Sequence, residues 1–206
     1  MKPKIISGIP NHLEGAFHDT ESQKDYDSPG LAAQDFIILK ERLLSINHWK
    51  DYCGKASADF KVFTPDGEFS HKSPRTGDYI RIDIPGPGDV KNKGYDWVEI
   101  TEMTDKYLDV DELESYLIIS QPSKAPKNKN GQIAHFYSKD STASFRIARG
   151  ANFVRIGIYG RNEKPNFRKK NIFNKIRSFL ISFGGFSQFT KIEWKCVAES
   201  LIDFKK

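Results

Sequence analysis

The middle of this sequence alternates between apolar and polar residues, and that alternation limits the folds open to the chain. Ile80, Ile82 and Ile84 would point to one side of an extended strand, with Arg81 and Asp83 pointing to the other. A two-residue period of this kind is typical of an antiparallel sheet that has one face in solvent. We therefore expect this segment to be a strand of such a sheet.

Other segments of strand composition follow one another through residues 56–160 without a helical pattern between them. They cover residues 58–63, 95–100, 116–119, 133–137, 145–149 and 152–159. The last two flank Gly150-Ala151, which suits the turn of a hairpin. Consecutive strands argue against a parallel, doubly wound fold and predict an α+β protein with an antiparallel β-sheet or partly closed barrel of about five to seven strands.

Helical patterns stand on both sides of this β region. Ser28 and Pro29 suit a helix start, and residues 31–53 predict one N-terminal helix. Residues 168–206 predict two amphipathic C-terminal helices, separated at Gly184. Residues 1–27 show no hydrophobic period, which predicts an irregular arm. The chain has the length of one domain, so we expect a single domain over residues 1–206.

Several known architectures accommodate this order of elements. An SH3-like or OB-like barrel with helical additions fits it. The order also resembles that of a curved sheet gripping a helix, as in START-like lipid-transfer domains. These are likenesses of fold, and a fold alone does not specify a function. We identify no motif of a named family in these residues.

Composition predicts a folded cytoplasmic protein. The chain is 38% hydrophobic and 29% charged, which supplies enough apolar surface for a core. Cys53 and Cys196 are the two cysteines, too few for a disulfide framework. The sequence has neither a signal peptide pattern nor an apolar run of about 18 residues, so we expect no export or membrane span.

The charge of the chain is unevenly distributed. Residues 1–150 carry a net charge of −3, whereas residues 151–206 carry +8. Within the second part, residues 164–177 hold six basic residues and no acidic one. This asymmetry predicts an anionic partner, either nucleic acid or a membrane surface, or else a protein partner. The alternative is a solvated face of a packed helix.

Arginines in and after the hairpin extend this hypothesis. Arg146 and Arg155 would form an anion-binding fork if they share one face of the sheet, because a guanidinium pairs with phosphate or carboxylate in a bidentate geometry. The alternative is that they cover a solvated face and pair with local carboxylates. The predicted anion-binding set is Arg146, Arg155, Arg161, Arg168, Lys169, Lys170, Lys175 and Arg177.

Motifs of metal sites and of catalysis are missing from the sequence. His12 and His18 lack the spacing of a structural zinc site, so we predict no metal and no cofactor. Serines near His135 lack the elbow motif of a serine hydrolase. An enzyme is therefore the less favoured class, although a hydrolase-like pocket around His135, Tyr137, Ser141 and Trp97 remains an alternative.

The preferred hypothesis is a non-catalytic binding or interaction protein with a basic C-terminal surface. A second alternative, besides the hydrolase-like enzyme, is a carrier of lipid or of a small apolar ligand. It is motivated by three predicted helices, the expected curved sheet and the fifteen phenylalanines. A carrier needs an apolar cavity, whereas an enzyme needs converging titratable groups in a pocket, so structure separates the two classes.

Overall fold

The structure is a computed structural model, and it describes residues 2–54, 58–83, 95–128, 131–166 and 186–205. In the last helix it describes the side chains from Trp194 onward. The strands are β1 (Ala16–Asp25), β2 (Asp59–Phe63), β3 (Tyr79–Asp83), β4 (Asp96–Thr104), β5 (Glu114–Pro122), β6 (Thr142–Arg149) and β7 (Phe153–Glu163). The helices are α1 (Pro29–Leu44), α2 (Trp49–Cys53) and α3 (Phe186–Ile202), with a 3-10 turn at Ile46–His48.

All seven strands form one antiparallel sheet in the order β1-β7-β6-β5-β4-β3-β2. Every neighbouring pair is consecutive in sequence except β1 and β7, so the first strand pairs with the last. The predicted class is confirmed: the protein is α+β, with an antiparallel sheet and helices before and after its central strands.

The two faces of the sheet differ in chemistry. On β6 and β7, Phe145, Ile147 and Ile156 point to the side where α1 and α3 pack, which we call the helix face. Arg146 and Arg155 point to the opposite side, which we call the back face, because their register positions alternate with those of the apolar residues. The apolar core therefore lies between the helix face and the helices.

The prediction of an irregular arm over residues 1–27 was wrong for its second half. Residues Ala16–Asp25 form β1, which pairs with β7 along most of its length. Its helix-face positions are His18, Thr20 and Ser22, which are polar, so the strand has no apolar alternation to reveal it. Pairing with β7 imposes a conformation that the local sequence does not specify.

The predicted helix over residues 31–53 is interrupted. The α1 helix ends at Leu44, where the Ser45 hydroxyl donates to the Glu41 carbonyl at 2.8 Å. Asn47 then bonds to β2, its amide oxygen accepting from the Val62 N–H at 2.8 Å. That side-chain pairing turns the chain before α2 begins at Trp49.

Two further predictions for the ends of the β region have different outcomes. Residues 133–137, predicted as a strand, contribute only an isolated bridge between Tyr137 and Pro165. Of the two predicted C-terminal helices, the second corresponds to α3, whereas the first, predicted over residues 172–183, lies outside the described residues. Within the described part of the chain, no helix has the length and hydropathy needed to cross a membrane.

Candidate functional site

A cavity lies between the helix face of the sheet and the C-terminal helix α3. Its volume is about 70 Å³, counted as the space open to the centre of a water-sized sphere. Aromatic rings form much of its lining, those of Trp49, Phe60, Phe136, Phe145 and Trp194. Aliphatic residues of β3 and β4 complete the apolar lining, so the space is a gap in the apolar core.

The aromatic residues of this cavity hold one another in place. Trp49 is fully buried, and its ring centroid lies 5.3 Å from that of Phe60 and 5.0 Å from that of Phe145. Trp194 meets Phe145 edge-on at 5.4 Å. Because its indole N–H donates to the Arg42 carbonyl at 3.1 Å, Trp49 is fixed to α1 as well as to its ring neighbours.

A buried histidine and glutamate border the cavity where β1 meets β7. The Nδ1 atom of His18 lies 2.9 Å from Oε1 of Glu163, and both residues are less than a tenth exposed. The His18 ring stacks on Trp194, with centroids 6.4 Å apart and an interplanar angle of 11°. Nε2 of His18 is buried and has no hydrogen-bond partner among the described residues.

Gly160 makes room for this pair. It is the register partner of His18 on β7, and a Cβ atom at that position would lie 2.2 Å from Oε1 of Glu163. Such a distance is far below van der Waals contact, so only glycine lets the two side chains sit against the strand. The backbone of β7 is thus part of the site.

The other polar residues of the cavity come from the segment around residue 135 and from the start of β6. Nδ1 of His135 accepts a hydrogen bond from the Tyr137 backbone N–H at 2.9 Å. The Ser141 hydroxyl donates to the Asn162 carbonyl at 2.9 Å. The Thr142 hydroxyl is buried and has no partner among the described residues.

Three of the four residues of the predicted hydrolase-like pocket do line this cavity: His135, Tyr137 and Ser141. Trp97 does not, so its inclusion was wrong. It is the register partner of Arg81, on the back face, and its ring meets Phe63 at 5.1 Å. The strand period places Trp97 opposite to Val98, which lines the cavity.

Arg146 and Arg155 share the back face, as the fork hypothesis requires, but Arg146 is already paired within the chain. Its Nη1 donates to Oε1 of Glu112 at 2.8 Å, its Nη2 donates to the other oxygen of Glu112, and the Tyr107 carbonyl accepts at 3.1 Å. Burial alone would lower the pKa of Arg146, but the hydrogen bonds and charge of Glu112 raise it above its ordinary value.

Arg161 is also engaged inside the protein. It is 1% exposed, and its Nη2 lies 2.7 Å from Oδ1 of Asp19 and 3.0 Å from the Lys4 carbonyl. Arg155 is more open: its Nε donates to Gln23 at 2.9 Å and its guanidinium lies over Phe153.

The buried side chains of Arg146 and Arg161 thus pair with local carboxylates, which was the alternative to an anion-binding site. Anion binding by the arginines stays a prediction. The remaining members of the predicted set lie outside the described residues: Arg168, Lys169, Lys170, Lys175 and Arg177. Among the residues that the structure describes, no group of three or more His, Cys, Asp or Glu side chains is arranged to hold a metal ion.

Sequence reasoning did not find the pair of His18 and Glu163. The two residues are 145 positions apart, and β1 itself was not predicted. One signal was available, because Gly160, like Gly157, lies in the strand that includes the predicted segment 152–159 and extends beyond it. A glycine inside a strand marks a bulge or a close approach by another group.

The fold and cavity define an α+β protein in which helices cover one face of a seven-stranded antiparallel sheet and leave an internal apolar space. No family model matches the sequence. No curated protein matches it either.

Three solved structures are similar to this chain at low sequence identity. A truncated norcoclaurine synthase from Thalictrum flavum has 10% identity and a TM-score of 0.40, covering 94% of this chain and 99% of its own. Major latex-like protein 151 from Panax ginseng has 15% identity and a TM-score of 0.37, covering 87% of this chain and 97% of its own. Ara h 8.0201 has 9% identity and a TM-score of 0.35, covering 91% of this chain and 99% of its own.

Proposed function

We propose that this protein is a carrier that binds a small apolar ligand in the cavity between the sheet and α3. The observation that carries the proposal is the cavity itself. Protein interiors are close-packed, with few voids larger than a water molecule. The cavity volume of about 70 Å³ is several times the volume that one water molecule needs when both are counted in this way.

The lining favours an aromatic or otherwise apolar occupant over water. Trp49, Phe60 and Phe145 present ring faces and edges that are held by their mutual contacts. Water is poorly held in such a space because few polar groups surround it, whereas an aromatic ligand gains both burial and favourable ring geometry. The ligand class proposed is therefore a small molecule with a flat apolar body.

The three tryptophans allow a direct test by NMR. Trp49 and Trp194 line the cavity, whereas Trp97 lies on the back face. Titration with 2-methylnaphthalene is expected to shift the indole N–H signals of Trp49 and Trp194 saturably and to leave that of Trp97 in place. Equal shifts at all three indoles, or no saturable shift, would contradict the proposal.

A pair of matched variants separates the cavity from the rest of the surface. Ala143 lines the cavity, and Ala143→Phe fills part of it, so the affinity for 2-methylnaphthalene should fall about tenfold or more, the effect of about 1.4 kcal/mol. Ala151 is exposed in the turn between β6 and β7, and Ala151→Phe should leave the affinity unchanged.

We also propose an anionic partner as a second function, motivated by the net charge of +8 on residues 151–206. Salt-sensitive binding to single-stranded DNA, RNA or anionic liposomes is the expected result. Neutralising Lys169, Lys170, Lys175 and Arg177 together should abolish it. Neutralising the exposed Lys72, Lys106, Lys124 and Lys139 is the matched control. Absence of binding at low salt would reject this second function.

A further inference from the structure

Two buried polar atoms at the cavity have no hydrogen-bond partner among the described residues. They are Nε2 of His18 and the hydroxyl oxygen of Thr142. Buried polar groups in folded proteins are nearly always hydrogen-bonded, so each of these atoms calls for a partner. Both residues contribute to the lining of the cavity, and a molecule bound there is able to supply a partner to an atom that faces the space.

The register of the sheet brings these residues to the same level. His18 of β1 lies opposite Gly160 of β7, and Gly160 lies opposite Ala143 of β6, which follows Thr142. Successive side chains of a strand point to opposite faces, so Ala143 faces the cavity with His18, whereas Thr142, the register partner of Arg161, points to the back face. A molecule in the cavity therefore meets Nε2 of His18 and not the Thr142 hydroxyl.

The partner of Nδ1 determines what Nε2 is able to do. An ionised carboxylate only accepts hydrogen bonds, so Nδ1 of His18, 2.9 Å from Glu163, carries the hydrogen of that bond. In the neutral imidazole, Nε2 then has a lone pair and accepts.

Charge narrows the class of ligand further. The Glu163 carboxylate already places a negative charge beside an apolar space. With His18 neutral, a carboxylate or phosphate ligand would bring a second negative charge close to that of Glu163, and repulsion between like charges is strong in an apolar space. A neutral group that donates a hydrogen bond meets the requirement of Nε2 at no such cost.

Building on the proposed function, we infer that the ligand is neutral and carries a hydroxyl group that donates to Nε2 of His18. Its apolar body lies against Trp194 and Phe145. The Glu163 carboxylate acts as a positioning group, because it fixes the tautomer and orientation of the His18 ring.

Three ligands of the same size test this assignment at pH 7 by isothermal titration calorimetry. They are 2-naphthol, 2-methylnaphthalene and 2-naphthoate, which differ in the group that would meet His18. We expect 2-naphthol to bind about fivefold to tenfold more tightly than 2-methylnaphthalene, the gain from one added hydrogen bond. We expect 2-naphthoate to bind more weakly than either.

Variants assign the preference to named atoms. His18→Phe combined with Glu163→Leu removes the acceptor without leaving a buried carboxylate unpaired, and it should reduce the naphthol-to-methylnaphthalene affinity ratio to about one. Thr142→Val keeps the shape and should retain the full ratio, because the Thr142 side chain points to the back face. Ala151→Phe, on the exposed turn, should retain the full ratio.

The outcomes distinguish this inference from the function on which it rests. If 2-methylnaphthalene and 2-naphthol bind equally well to the unmodified protein, the cavity is a ligand site but the hydroxyl assignment is overturned. Tighter binding of 2-naphthoate would also overturn it, in favour of an imidazolium that binds anions. If none of the three ligands binds, both the carrier function and the assignment fail.

Discussion

A Cβ atom placed on Gly160 would lie 2.3 Å from Nδ1 of His18, closer than any stable contact between these atoms. Gly160→Ala is therefore expected to displace the ring of His18 and break its hydrogen bond to Glu163. The loss should be about 1–3 kcal/mol in the free energy of unfolding, as for other overpacked sites. Urea unfolding followed by circular dichroism measures it.

Gly30→Ala is the matched control for this substitution. Gly30 lies in the first turn of α1, and a Cβ atom there has only the Ser28 hydroxyl within 4 Å, at 3.6 Å. Alanine favours the helix over glycine by about 0.5–1 kcal/mol, so this variant should be as stable as the unmodified protein or slightly more stable. Equal stability of the two variants would show that Gly160 is not needed for space.

The pair of Arg146 and Glu112 predicts a loss of stability in acid. Burial alone would raise the pKa of Glu112, but the hydrogen bonds from Arg146 and from the Asp109 N–H, with the charge of Arg146, hold it below its ordinary value. The unfolded value is about 4.3. The stabilisation is therefore complete above that pH and disappears as the pH falls through the lower, folded-state pKa.

Glu112→Gln tests the assignment. At neutral pH this variant should lose about 3–5 kcal/mol, because Arg146 loses its buried counter-charge and keeps only the more exposed Asp109 carboxylate, 3.6 Å away. Below pH 4 its unfolding free energy should fall less steeply than that of the unmodified protein. Glu41→Gln, on an exposed position of α1, should change stability by less than about 0.5 kcal/mol. A Glu112→Gln profile parallel to the original at all pH values would rule out the pair as the source.

Arg42 connects α1 to the end of α3. Its Nη1 donates to the carbonyls of Leu201 at 3.1 Å and of Asp203 at 2.8 Å, at the C-terminal end of α3. Arg42→Met should cost about 1–3 kcal/mol, because the two carbonyls at the end of α3 lose the hydrogen bonds that Arg42 donates. Hydrogen exchange at residues 197–203 should accelerate, whereas the exposed substitution Arg75→Met should leave exchange there unchanged.

Local patterns predicted the parts of the fold that local interactions specify. The alternation of Ile80 and Ile82 identified β3, and the flanks of Gly150 identified the β6–β7 hairpin. The β1 strand was not predicted because its helix-face residues are polar and because its extended conformation depends on pairing with β7, more than a hundred residues away. The pattern of residues along one segment carries no information about a pairing strand that is distant in sequence.

The same distinction applies to the candidate site. His135, Tyr137 and Ser141 were grouped correctly because they lie within seven residues of one another. Trp97 was misplaced because strand parity decides which face it occupies, and the register with Arg81 was unknown. The burial of Arg146 was also not predictable from the local sequence, because its partner Glu112 lies in a loop 34 residues earlier.

Tyr159 on the back face predicts a loss of stability in alkali. Its hydroxyl donates to Oε1 of Glu21 at 2.8 Å and the residue is 2% exposed. Burial, followed by the charge and hydrogen bond of Glu21, raises the pKa of Tyr159 well above its ordinary value. Its contribution to stability is therefore complete below the unfolded value of about 10 and is lost as the pH rises towards the folded-state pKa.

Absorbance at 295 nm follows the ionisation of the eight tyrosines. While circular dichroism remains native, Tyr159 should stay protonated above pH 10, so its part of the absorbance change should be delayed. Tyr159→Phe should cost about 1–3 kcal/mol at pH 7, because Glu21 loses a buried donor, and should flatten the fall in stability above pH 10. Tyr107→Phe should leave that fall unchanged. A single transition near pH 10 for all eight tyrosines in the folded protein would contradict the hydrogen bond to Glu21 as the cause.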